Sequence, residues 1–183
     1  MSIDTFRIAN ESDAQVIAEL VNRAYRPAYG AAGWTHESDL VAGDRTNPDQ
    51  VTETITRLNS VILVGLNDSK IVACVHIEKE GGNSHIGMLA VTPTLQGAGA
   101  GKRILTQAES YALEIFGSEK FSMVVVSSRR ELISFYLRRG YQPTGSIMDY
   151  PLSEGIGVPK TPALKIEVLE KRFKPGLEGD CAK

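Results

Sequence analysis

The sequence predicts a single α/β domain, a mixed and mostly antiparallel sheet flanked by helices. Three observations lead there. Strand-like segments precede and follow two helical segments. A long antiparallel meander fills the middle, three apolar runs joined by short turns. At 183 residues the chain is long enough for one good core and short for two.

Taken in order, residues 3–9 (Ile-Asp-Thr-Phe-Arg-Ile-Ala) alternate as a first strand. Asn10 to Asp13 offer capping side chains. Ala14, Ile17, Ala18, Val21 and Ala24 then fall on one helical face. From Arg26 to Gly43 the pattern breaks, with Pro27, Gly30, Gly33 and Trp34 in quick succession. Irregular backbone of this kind is where binding residues gather. Residues 48–59 read as a helix opened by Pro48, with Val51, Ile55 and Leu58 as its apolar stripe. The meander follows: strands at 61–66, 71–77 and 84–91, turned at Asn67-Asp68-Ser69 and Gly81-Gly82-Asn83. A helix is expected over 98–116, a strand over 121–126, and a helix over 129–139 that stops at Gly140. Prolines and glycines across 141–162 predict a loop or a poorly regular strand. Leu164 to Leu169 alternates as the last strand. The domain is therefore expected over residues 1–174, with a polar tail at 175–183.

The stretch most charged with chemical meaning is Leu89–Tyr111, LAVTPTLQGAGAGKRILTQAESY. A strand ends at Leu89-Ala90-Val91, and a turn of Gln96-Gly97-Ala98-Gly99-Ala100-Gly101 starts a helix. The first turn of a helix leaves backbone N–H groups without partners, and its dipole favours negative charge. Small residues there let a phosphate approach closely, so residues 97–102 predict a pyrophosphate site. Two phosphate templates fail. A Walker loop would need glycine at Gln96 and a hydroxyl at Arg103. A dinucleotide fingerprint would need its third glycine at Lys102 or Ile104.

The pattern that fits is Gln/Arg-x-x-Gly-x-Gly/Ala, which resembles the coenzyme A pyrophosphate loop of the GNAT superfamily of N-acetyltransferases. Phe135-Tyr136-x-x-Arg139-Gly140-Tyr141 also resembles that family's Phe-Tyr-x-x-x-Gly-Phe signature, with tyrosine in the last place. The resemblance implies acetyl-CoA as cosubstrate and a sheet in which two adjacent parallel strands splay at a bulge. Here those would be the strands at 84–91 and 121–127. It further implies that Leu89, Ala90 and Val91 contact the pantetheine arm, with the Leu89 N–H binding the thioester oxygen. Gln96, Gly97, Ala98, Gly99, Ala100, Gly101 and Lys102 would surround the diphosphate, and Tyr136 would face the sulfur as general acid. Many members carry asparagine seven residues before that tyrosine. Here the place is Arg129, which reads as a solvated helix-start residue or as a partner for a phosphate or an acidic acceptor.

An amine must lose a proton before it attacks a carbonyl. His85 is the candidate base, since an imidazole titrates near neutrality, and Glu78 on the neighbouring strand is its understudy. His76 sits deeper in an apolar run and reads as structural. The acceptor pocket falls to the least regular parts of the chain, with Tyr29, Trp34, Arg45 and Glu78 as its candidates, beside Tyr25 and Tyr150. Aromatics with one arginine suit a small amine carrying a carboxylate.

A net charge of −2 argues against general affinity for nucleic acid or anionic membranes. Cys74 and Cys181 lie too far apart for a disulfide framework or a metal-ligand spacing, so no metal is expected and a reducing, cytoplasmic setting is. No apolar run approaches membrane-spanning length. A homodimer is left open. Two functions from different classes follow: an N-acetyltransferase acting on a primary amine by direct attack, and a non-catalytic acyl-CoA-binding module with the same fold.

Overall fold

A computed structural model describes residues 2–27 and 33–173. The strands are β1 (Thr5–Ile8), β2 (Val41–Ala42), β3 (Ser60–Asn67), β4 (Lys70–Glu80), β5 (Asn83–Val91), β6 (Lys120–Val126), β7 (Gln142–Asp149), β8 (Val158–Pro159) and β9 (Lys165–Arg172). The helices are α1 (Ala14–Tyr25), α2 (Pro48–Thr56), α3 (Ala100–Glu114) and α4 (Arg130–Leu137). Seven strands form one sheet in the order β1-β3-β4-β5-β6-β9-β7, and β2 pairs with β8.

The central strands are covered on both faces, which is why they read as unbroken apolar runs. Ile62, Val64 and Cys74 face α1 and α2, packing with Ile17, Val21 and Val51. Leu63, Val75 and Ile77 face the other way, against Ile104, Leu105 and Ala108 of α3. Each such fully buried aliphatic side chain contributes roughly 1.5–3 kcal/mol.

All sheet pairings are antiparallel except β5 with β6, and that pair is short. Only Asn83, Ser84 and His85 pair with Lys120, Phe121 and Ser122. Beyond His85 the two strands part. The β4–β5 register shifts between Cys74 and His76, so that Met88 and Leu89 together oppose Val75. Met88 takes a left-handed backbone, φ 47°. Such a bulge bends its strand and ends local pairing. Meanwhile β6 keeps its register with β9 as far as Val126–Ile166. The result is a gap in the middle of the sheet, between the end of β5 and the end of β6.

The stretch expected as a loop or a poorly regular strand contains the latter: Gln142–Asp149 is an edge strand, exposed along its whole length, whose register with β9 shifts between Pro143 and Ile147. With no buried face it has no apolar alternation, and an edge tolerates Pro143. Two expectations are corrected. Leu58 lies outside α2 and is 85% exposed, because the helix ends at Thr56. Helix α3 begins at Ala100 and not at 98, since Gly97 and Gly99 both hold positive φ. The tail at 175–183 lies outside the described residues. Among the described residues no helix is long and apolar enough to cross a membrane.

Candidate active site

Two clefts meet at the gap. The first, about 330 Å³, runs from the glycine turn to the bulge. The second, about 320 Å³, lies between β5, β6 and the segment around Tyr150. Tyr25, Leu89, Arg129, Leu132 and Tyr136 line both.

The first cleft is built for an anion. Gly97 and Gly99 have φ of 79° and 84°, a conformation that side chains rarely adopt, and a Cβ at either would meet nothing within 4 Å. The start of α3 carries neither a capping side chain nor an acidic residue in its first turn. Its leading N–H groups are thus left for a ligand. Lys102, Arg138 and Arg139 add positive charge to the same walls. The residues present therefore fit a diphosphate. Ala98 and Ala100 are not among the lining residues; Ala98 is exposed and Ala100 packs into the core. Arg103 turns away, its guanidinium bonded to the Ile3 carbonyl and placed over the Phe6 ring.

Gln96 has a different task. Its Oε1 accepts the N–H of Trp34 at 2.6 Å and that of Thr35 at 3.4 Å, while its Nε2 donates to the Val91 carbonyl at 3.2 Å. It fastens the 33–37 segment to the end of β5. Trp34 packs against Phe135, ring centres 6.1 Å apart, and lines the first cleft, not the second.

Behind this segment lies a buried cluster that the sequence did not announce. Glu37, 6% exposed, receives Arg129 Nη1 at 2.9 Å and sits 3.0 Å from Arg26 Nη1. Arg129 also bonds Thr35, which donates to Glu131 at 2.8 Å. The solvated reading of Arg129 is thereby corrected: it is 5% exposed and ties α4 to the 33–37 segment. Its partner lies 92 residues away, so no local pattern could reveal the pair.

The second cleft holds His85 and Arg45. His85 lies at the last paired position of β5, within 3.5 Å of the Ser122 hydroxyl. Burial pushes its pKa below the ordinary imidazole value, opposed by Glu80, Glu78 and Glu154. The imidazole is therefore neutral at pH 7 and can take a proton. Arg45 places its guanidinium 5.4 Å from the centre of the Tyr25 ring. Glu78 lines neither cleft; it is 3.5 Å from Arg57 and 3.9 Å from His76. His76 bonds the Ser60 hydroxyl at 2.8 Å, and burial drives its pKa down to about 4. Tyr29 lies outside the described residues.

Tyr136 stands at the junction, 7% exposed, packed edge-on to Phe135 and Tyr141. Burial raises its pKa, so its phenol keeps the proton. Cys74 is buried, with its thiol pushed up to about 12, and lines neither cleft. Among the described residues no cluster of His, Cys, Asp and Glu could hold a metal ion.

Comparison with known proteins bears directly on this arrangement. The sequence profile of the Acetyltransferase (GNAT) family matches residues 17–141, which span β3, β4, the bulged β5, the glycine turn and α4. An S-alkylcysteine N-acetyltransferase of Bacillus subtilis (strain 168) is 28% identical over 152 residues, 78% of this chain and 80% of its own length. The ribosomal-protein-S18-alanine N-acetyltransferase of Escherichia coli superposes with a TM-score of 0.67 at 15% identity, covering 98% of both chains. An acetyltransferase from Bacillus anthracis str. Ames, solved in complex with acetyl coenzyme A, gives 0.54 at 20% identity over 67% of each chain. The glycine turn at the head of α3, whose residues fit a diphosphate, the bulged strand and the parallel pair that parts accord with an acetyl-CoA cosubstrate. The chain belongs to the GNAT family and is an acetyl-CoA-dependent N-acetyltransferase.

Proposed function

We propose that this enzyme moves the acetyl group of acetyl-CoA to a primary amine of a small acceptor, by direct attack within a ternary complex. The observation that carries this reading is the meeting of the two clefts at Leu89 and Tyr136. One cleft has the chemistry of a diphosphate site, the other a neutral imidazole, and their contents can touch only at the gap.

In this reading the turn at 97–101, with Lys102, Arg138 and Arg139, binds the phosphates. Leu89, Ala90 and Val91 hold the pantetheine arm as an added strand would be held. The Leu89 N–H, which the bulge removes from the β4–β5 register, faces the thioester oxygen. A donor fixed where charge develops lowers a barrier by about 3–4 kcal/mol. His85 takes the proton of the incoming amine, directly or through water. A C–N bond forms, the C–S bond breaks, Tyr136 gives its proton to the departing sulfur, and the second proton shed by the nitrogen returns through water to the Tyr136 oxygen. No acyl-enzyme is involved, because the Cys74 thiol is buried and protonated.

A single domain over residues 1–174, a reducing cytoplasmic setting and a small acceptor belong to the same proposal. The amino-acid acceptor in the name of the Bacillus subtilis relative supports the last of these. The test is an initial-rate study of thiol release with acetyl-CoA and amine varied together. Intersecting lines, and no mass increase of the enzyme after acetyl-CoA alone, are expected. Parallel lines with an acetylated enzyme would replace direct attack by a two-step route.

A further inference from the structure

We infer that the acceptor is a small amino acid with an apolar side chain, its carboxylate held by Arg45. This rests on the second cleft being the acceptor site. Three features of that cleft point the same way.

Arg45 is half-buried on the cleft wall, and no carboxylate pairs with it among the described residues. Its backbone is pinned, the Arg45 N–H donating to Asn22 Oδ1 of α1 at 2.8 Å. The other charges are already matched. Glu37 is shared by Arg26 and Arg129, Arg129 also lies 3.7 Å from Glu131, and Asp149 is paired with Lys165. What remains is one cation at Arg45 and one carboxylate, Glu154, close enough to His85 to raise its pKa. A zwitterion meets that pattern, its carboxylate at Arg45 and its ammonium toward His85. A polyamine would meet an unmatched arginine and a single acid.

The third feature is apolar. Val124 sits in mid-strand yet is 42% exposed, because β5 has left its side, and Met148, on the same sheet face two strands away in β7, is 45% exposed. Val126 and Ile166 continue that wall. An apolar side chain on the acceptor would cover these groups, and the cleft's size suits a small molecule.

The experiment compares methionine, methioninamide and spermidine as acceptors for wild type, Arg45→Gln and Arg45→Lys, with thiol release as the readout. Methionine should be acetylated, and methioninamide should show a KM roughly 10- to 100-fold higher, the usual effect of losing one charge-assisted contact. Arg45→Gln should raise KM for methionine and bring it level with the amide, while KM for acetyl-CoA holds. Arg45→Lys should restore part of the difference. Equal KM values for acid and amide in wild type, or a preference for spermidine, would overturn the amino-acid assignment and leave acetyl transfer standing. No turnover of any amine, with acetyl-CoA still bound, would overturn the proposed acceptor site and this inference together.

Discussion

The imidazole of His85 leans along its own strand over Gly87, so that a Cβ at position 87 would stand 3.2 Å from Nε2. Glycine there lets the ring lie flat beside the bulge. Gly87→Ala should push the ring aside without touching the first cleft. We expect kcat to fall roughly 10-fold, as small misplacements of a reacting group do, with KM for acetyl-CoA unchanged. His85→Ala should lose about 10²–10⁴. Steady-state kinetics of both variants check this, and two fully active variants would remove His85 from the mechanism.

The pH dependence of kcat follows from the same burial. Because the folded His85 pKa is lowered, the acid form appears only below the ordinary imidazole range, and the acidic limb should lie there. Glu80, Glu78 and Glu154 oppose the burial. Glu154→Gln should therefore move the limb to still lower pH. A limb that moves upward in that variant contradicts the electrostatics.

His76 makes a separate statement about stability. Its pKa falls from 6.5 to about 4 on folding, chiefly through burial. Between those values the unfolded chain binds a proton that the folded chain refuses, so stability drops as pH falls through the window. The share of this one group is up to about 3 kcal/mol. Urea midpoints at pH 7 and pH 4.5 should differ less in His76→Gln than in wild type.

Glu37 is the carboxylate shared by two buried guanidinium groups, Arg26 and Arg129, and Arg129 also lies 3.7 Å from Glu131. Glu37→Gln leaves Arg26 without a carboxylate and should cost about 3–5 kcal/mol, read as a lower denaturation midpoint at unchanged slope. A loss below about 1 kcal/mol would mean that water reaches the cluster and screens it.

Acetyl-CoA should raise the melting temperature of the wild type, by linkage worth about 2.7 kcal/mol at a hundredfold excess over Kd. Gly99→Ala should cost about 1–2 kcal/mol, since φ of 84° strains any Cβ. Gly99→Glu should also abolish the ligand-induced shift, by filling the cradle with like charge. A shift retained in full would move the diphosphate elsewhere.

Much of this architecture was legible in the sequence, and for stateable reasons. β3 to β5 are covered on both faces, so burial writes itself as apolar runs. The turn at Gly97 and Gly99 needs positive φ, and that need writes itself as glycine. β7 was only half legible, as a loop or a poorly regular strand, because a strand exposed on both sides carries no periodic signal. Glu37 escaped because its partners Arg26 and Arg129 lie on α1's exit and α4's entry, and tertiary ion pairs have no local spacing. Trp34 stood out as an aromatic in an irregular stretch, but which cleft it lines depends on Gln96, 62 residues further on. Val124 looked like any strand residue until β5 was seen to leave it.

The fastening of the 33–37 segment bears on how such an enzyme can be retargeted. Gln96 holds its front and Arg129 its back, so substitutions at either end will disturb both compartments at once. Val124 and Met148 touch only one of them. With the acceptor in the second cleft, as proposed, libraries confined to those two positions should vary acceptor choice while leaving the donor's grip intact.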